Sequence, residues 1–242
     1  MALAGDHVQV LVGGYELTGD SNRISISDAR DMHDVTVFRD RVHRFIPGQR
    51  VMSLVHAGYL NPQVARSHPV LKAANLQGVV SVVLGQNADP AAGDPAFSLL
   101  AQQGRYDSRP EANKAVPFGA LFANKGEGGG WGVALAVPTS ITDSASGSAV
   151  DNGAATADGG AVFLHILQAA ASDTYTLTVE GSATGAFSGE ETTLATFSLD
   201  AAALGSERVG ISGPMPRYTR WRAVRSGTAG ETVTFAVNLV RQ

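Results

Sequence analysis

The chain has 242 residues, of which 44% are hydrophobic, 28 are glycine and none is cysteine, and its formal net charge is −4. This apolar content at a mean hydropathy of +0.02 separates it from disordered and membrane-embedded chains. The lack of cysteine excludes disulfides, thiol catalysis and Cys-ligated metals. The opening MALAGDHVQV has no basic n-region and no long apolar stretch, so no signal peptide is expected. No run reaches the roughly 18 apolar residues of a membrane span.

Period-2 alternation dominates the first half. His7 to Val12 reads as a strand with Val8, Val10 and Val12 on one face. Ile24 and Ile26 alternate with Arg23, Ser25 and Ser27, and Val35 and Val37 continue the pattern. Residues 39–50, RDRVHRFIPGQR, read as a basic loop with a Pro47-Gly48 turn signal, and strand character resumes over 51–60. A short helix is predicted at 69–77, with Pro69 at its first position, Val70, Leu71, Ala74 and Leu76 toward a core and Gly78 as its cap. GVVSVVLG (78–85) is apolar on both faces, as a buried strand should be. Residues 97–109 are ambiguous, and PFGALFANK and GWGVALAVP read as paired strands around GEGGG.

Residues 139–160 contain no aromatic side chain and few long aliphatic ones, which places a domain boundary near residue 142, although part of this stretch can pair as an edge strand. Beyond it lies a second β series. VFLHILQ (162–168) is apolar on both faces, and Tyr175, Leu177 and Val179 alternate with Thr176, Thr178 and Glu180. The last strand places Val233, Phe235, Val237 and Leu239 on one face. In RYTRWRAVR, Tyr218, Arg220 and Arg222 share one face and Trp221 turns inward, which is not the open aromatic-cationic face of a single-strand binder. Short strands at close spacing without helices indicate a sandwich or jelly roll.

Little in the sequence points to chemistry. Asp28, Asp31, His33 and Asp34 are the densest set of possible metal ligands, but their spacing fits neither an EF-hand loop nor a two-histidine zinc motif. GEGGGWG lacks the Lys-Ser/Thr ending of a phosphate loop. His165, inside an apolar strand, reads as a hydrogen-bonded core histidine. No nucleophile elbow or carboxylate couple is present, so no catalytic residue, cofactor or metal is expected. Charge is unevenly placed. Residues 1–35 hold the acids Asp6, Glu16, Asp20, Asp28, Asp31 and Asp34 against Arg23 and Arg30. Residues 36–72 hold Arg39, Arg41, Arg44, Arg50, Arg66 and Lys72 against Asp40. Adjacent blocks of opposite sign suit a self-complementary assembly, or a solvated mixed surface, better than a nucleic-acid clamp.

Three motifs occur in order: Gly13-Gly14-Tyr15-Glu16-Leu17-Thr18-Gly19, Asp34-Val35-Thr36-Val37-Phe38 and Arg44-Phe45-Ile46-Pro47-Gly48. Over roughly residues 8–138 the chain resembles the major tail tube proteins of long-tailed bacteriophages. VDNGAATADGGAVFLHI, SERVGISG, RYTRW and TVTFAVNLVR resemble the β-sandwich domains at the ends of such proteins, which also serve as decorations and carbohydrate binders.

The resemblance implies an all-β chain with one short helix. A tail-tube-like β-barrel or sandwich (1–142) would be followed by a second β-sandwich, jelly-roll or Ig-like, on the outer surface (143–242). It implies a non-enzymatic virion subunit, assembled in the host cytoplasm. Subunits would form stacked rings, with six chains per ring, or three if the second half is itself tube-like. Other tail proteins would meet the tube ends, and double-stranded DNA would pass through the lumen without specific binding. Alternatives are a distal tail ring, a capsid decoration protein, or a carbohydrate-binding module in the second half. In a homopolymer, the basic segment with Arg39, Arg41, Arg44, Phe45, Ile46 and Arg50 is expected to meet Glu16, Asp20, Asp28, Asp31 and Asp34 of a neighbouring subunit.

Overall fold

The computed structural model describes residues 7–73, 76–86, 88–126, 128–198 and 201–242. The strands of the first half are β1 (Val8–Val12), β2 (Tyr15–Glu16), β3 (Ser21–Asp34), β4 (Phe45–Tyr59), β5 (Gln77–Leu84), β6 (Pro95–Ser108), β7 (Pro117–Asn124) and β8 (Gly130–Ile141). The rest of the chain supplies β9 (Ala145–Ser146), β10 (Val150–Asp151), β11 (Gly160–Gln168), β12 (Thr174–Ser182), β13 (Thr192–Thr196), β14 (Gly205–Ile211), β15 (Tyr218–Ser226) and β16 (Val233–Arg241). The fold is all-β, with one short α-helix among the described residues, α1 (Ser67–Leu71), and a 3-10 turn at Thr18–Asp20.

That helix is shorter and earlier than the sequence predicts. Arg66 is its N-cap, Val70 and Leu71 are buried, and Gly78 belongs to β5. The β-branched run after Gly78 wins a place in the sheet, where both faces are covered. Ala74 lies outside the described residues.

An 11-stranded antiparallel sheet runs β14-β11-β16-β8-β6-β5-β1-β2, with β7, β4 and β3 branching from β6. The branch corrects one expectation: β7 and β8 do not pair with each other. Both lie along the same edge of β6, β8 against Pro95–Ser98 and β7 against Ala101–Ser108. The sheet therefore forks on β6, between the end of β7 at Asn124 and the start of β8 at Gly130. A bulge between Gln103 and Arg105 bends β6 at Gly104 beside this fork. The sheet curls but does not close as a barrel; β14 and β11 come against β5 and β2 without a strand ladder.

Inside the curl lies a chain of buried polar groups. His165 on β11 has Nδ1 2.7 Å from the Gly13 carbonyl, which only accepts, so Nδ1 carries the proton. Nε2 then accepts from Ser81 Oγ at 2.8 Å. Ser81 accepts from Ser98 Oγ (2.8 Å), and Ser98 from Asn238 Nδ2 (3.2 Å). The direction of every bond follows from that one carbonyl. The series ties β11 and β16 to β5, β6 and the β1–β2 turn, and it fixes a neutral imidazole. Burial pushes the His165 pKa down to about 4, against the opposing effect of the Gly13 bond.

The second sheet, β10-β15-β12-β13 with β9 on β15, packs over β8, β11 and β16. The small-residue stretch supplies its edge: Ala145–Ser146 and Val150–Asp151 pair with β15. Trp221 points inward and meets Phe235 edge-on at 5.0 Å. Two principal cores result, one built from residues 10–122 and the other from residues 135–239. Residue 142, where the sequence places a boundary, directly follows the end of β8. That strand pairs β6 on one side and β16 on the other, and its Leu135 and Ala136 belong to the second core.

Candidate assembly interface

The most exposed apolar structure is the hairpin of β3 and β4. Its register runs from Ser21 opposite Gly58 to Asp34 opposite Phe45, and residues 35–44 close its tip. At about 3.3 Å per residue, a strand as long as β3 reaches roughly 45 Å. The root of the hairpin is anchored. Met52, Leu54 and His56 are buried, and β7 pairs β4 over Ser53–Tyr59. At Gly58 a Cβ would clash with the Asp20 carbonyl, so the root requires glycine. Beyond Ser53 β4 loses its second neighbour, and a two-stranded ribbon continues alone. Such a ribbon is marginal in water unless something packs on it.

Two sequence expectations are corrected here. Val35 and Val37 do not extend the strand, because β3 ends at Asp34. The chain reverses in residues 35–44, while Pro47 and Gly48 sit within β4. Pro47 is tolerated because that stretch of β4 has no partner on its other side. The tip is a hydrogen-bonded loop: Val35 N donates to Arg44 O (2.8 Å), Asp40 N to Val37 O (2.8 Å) and Val37 N to Asp40 Oδ2 (3.0 Å). The Thr36 hydroxyl and amide hold the Asp34 carboxyl below the usual carboxylate range.

The sequence-predicted contact residues divide by position. Phe45 and Ile46 are about half exposed at the start of β4, and Arg39, Arg41 and Arg44 ring the tip. Arg39, Arg41 and Asp31 are exposed and have no ion pair within the described residues. The other acids are engaged inside the chain. Asp28 takes Arg50 bidentately at 2.6 and 2.7 Å, and this pairing holds its carboxyl below the usual range. Asp34 meets His43 at 3.1 Å. Burial pushes the Asp20 carboxyl up, but bonds from Ser67 N (2.9 Å) and Asn61 Nδ2 (3.0 Å), with Arg66 at 3.8 Å, outweigh it and hold it low. Glu16 accepts from Gln9 and Thr18. Arg44 lies 3.9 Å from Asp40. The opposite charge blocks thus meet partly across one hairpin, because the β3–β4 register sets them side by side.

Four further exposed apolar side chains that the sequence did not single out as contacts lie on the same hairpin: Met32, Val37, Phe38 and Val42. Phe38 is fully exposed, Val42 is 73% exposed, and the other two are more than half exposed. Among the described residues the outer edge of β3 has no strand partner. Beside it a groove of about 580 Å³ is lined by Val8, Val10, Ile24, Ile26 and Leu84. A long unpaired edge over an aliphatic floor is a template for another strand.

In the second half, Phe163, Tyr175, Phe197, Trp221 and Phe235 are buried. The remaining aromatics are covered by arginine, Arg217 over Tyr218 at 5.0 Å and Arg220 over Phe187 at 4.3 Å. Among the described residues that half offers no open aromatic platform. Among the described residues no three His, Asp or Glu side chains converge as a metal-ion cluster, and no helix is long and apolar enough to cross a membrane.

No protein-family model and no curated protein matches this chain significantly. Among solved structures, a chain from the virion of a native gene transfer agent particle is 14% identical, at a TM-score of 0.42, over 54% of this chain and 98% of that one. A chain from the tail of an empty gene transfer agent particle gives 16% identity and a TM-score of 0.39, over 52% and 96%. The SPP1 Dit protein of a phage hub adsorption apparatus is 8% identical at a TM-score of 0.35, over 97% and 99%.

Proposed function

We propose that this chain is a non-enzymatic structural subunit of a phage tail, which self-assembles into rings of six chains. The rings stack into a tube, and double-stranded DNA passes through its lumen without specific binding. The observation that carries this reading is the β3–β4 hairpin: a ribbon that leaves the body with a fully exposed Phe38 at its tip. An isolated monomer gains nothing from such an arm, whereas a polymer gains buried area at every copy. The unpaired edge of β3 supports lateral growth, since a neighbour's strand placed there continues the sheet. The three ordered motifs of the first half agree with this role. In this reading the second sandwich lies on the outside of the tube, other tail proteins cap its ends, and assembly takes place in the host cytoplasm before the subunit becomes part of the virion.

Negative-stain imaging of the purified protein, alone and with tail-initiation components, tests the proposal. Stacked rings of constant diameter are expected. Single closed rings that never stack would assign the chain to a distal ring instead. Persistent monomer at high concentration with initiation components present would overturn both.

A further inference from the structure

On the body of the molecule, away from the hairpin tip, Trp131 stands between two grooves of about 770 and 400 Å³ and lines both, as does Arg241. Trp131 is 45% exposed, and its ring is braced edge-on by the buried Phe97 at 5.3 Å. Its position is fixed while part of its ring is open to the cleft. The other tryptophan, Trp221, is buried.

The polar lining is unusual in its pairing. Arg50 lies over Gly130, where φ is +138° and a Cβ would come within 2.5 Å of its Nη2, so the glycine break between β7 and β8 makes room for the guanidinium. Asp28 then holds Arg50 in place. Arg30, from the neighbouring β3 register position, joins it on the larger groove. Arg241 donates from Nη1 to the Asn152 carbonyl at 3.2 Å, but its Nε and Nη2 are covered and have no partner among the described residues. Asn152 Oδ1, beside it, is a covered acceptor without a partner. Leaving such groups unpaired is costly, and a charged donor costs most. These covered groups belong to two residues that line the smaller groove, and Arg241 lines the larger one as well.

These features select a ligand. Among the described residues, the guanidinium groups of Arg30 and Arg241 line the larger groove without an ion pair of their own, against one carboxylate, Asp158, while Arg50 is neutralised by Asp28; this balance favours an anion. Unsatisfied donors and acceptors side by side suit hydroxyl groups, which do both. An exposed indole face accepts the C–H face of a pyranose ring. Two grooves that continue past one tryptophan suit a chain of such rings rather than a single small anion. We propose that this cleft binds an acidic oligosaccharide, with a sugar ring stacked on Trp131 and a carboxylate held by Arg241 and Arg30. The inference does not rest on the assembly role, although Arg30 and Arg50 stand on the same hairpin.

The test uses the full chain and three probes: a short oligogalacturonate, a neutral galactose oligomer of equal length, and inorganic phosphate. Binding is read by tryptophan fluorescence and by calorimetry. Saturable binding of the oligogalacturonate is expected, with the neutral oligomer weaker by about tenfold or more. Trp131→Ala and Arg241→Gln should each weaken binding by a similar factor while leaving the melting temperature of the protein near its original value. Should Arg241→Gln fail to fold, Arg30→Gln carries the charge test, because Arg30 is exposed on β3. The proposal is overturned by absence of saturable binding at about millimolar probe, by equal binding of the neutral oligomer, by phosphate competing as well as the saccharide does, or by unchanged affinity in Trp131→Ala.

Discussion

Replacing Phe38 with serine isolates what the hairpin tip contributes. Phe38 is fully exposed, so it has a whole side chain of apolar area to bury on association, whereas Phe45 and Ile46 at about half exposure have roughly half left. Full burial of a side chain of this size contributes about 1.5–3 kcal/mol. The expected loss for Phe38→Ser is thus about 1.5–3 kcal/mol per contact, or roughly 10- to 150-fold in the association constant of that contact. Phe45→Ala with Ile46→Ala should cost about the same in total, from two half-buried side chains. Arg41→Ala should cost only about 0–1 kcal/mol and make assembly less salt-sensitive, since the rim ion pair it removes is the part that salt screens. None of these changes should alter monomer stability by more than about 0.5 kcal/mol, because the exposed side chains lose few contacts within the chain. Sedimentation velocity and imaging across a concentration series measure assembly, and a urea melt of dilute protein measures stability. Phe38→Ser that polymerises at the parent's critical concentration would refute the reasoning. So would a large drop in the melt, which would make the tip a folding element instead.

Three further outcomes follow from the fold. His165 has its pKa pushed down to about 4 from an ordinary 6.5, and burial does the same to His56, which Asp20 opposes. The unfolded chain therefore takes up protons first, so stability is full above about pH 6.5 and falls as pH drops toward 4; urea melts at pH 7 and 5 should separate, and His165→Ala should narrow the gap. Glu180 is 3% exposed between Arg220 (2.8 Å) and Arg222 (3.1 Å), so Glu180→Ala should cost about 3 kcal/mol in a urea melt. Removing residues 143–242 strips β16 from β8 and exposes Leu135, so the remaining fragment should aggregate or melt well below the parent in a thermal scan.

Much of the strand inventory is legible in the residues themselves. The two-faced apolar runs became the central strands β5 and β11, the inward turn of Trp221 follows from alternation along β15, and a histidine amid aliphatic residues is the bonded core group. These features are local, because a strand's period of two is written in consecutive side chains. Pairing is not local. β7 and β8 look like a hairpin across a glycine turn, yet β6 claims both, since the sheet rather than the turn supplies the hydrogen bonds.

The same limit governs the surfaces. Val35 and Val37 carry the alternation of buried strands, but periodicity states only that a face is apolar and not whether a second layer covers it. The acidic and basic blocks announce complementarity, but the register of one hairpin decided that Asp28 meets Arg50 of its own chain. The cleft around Trp131 draws on positions 30, 50, 131, 152 and 241. Those residues come together only because the sheet forks between β7 and β8 and curls back on itself. A sequence determines which faces seek burial, and only the three-dimensional packing of distant strands determines which of them find it.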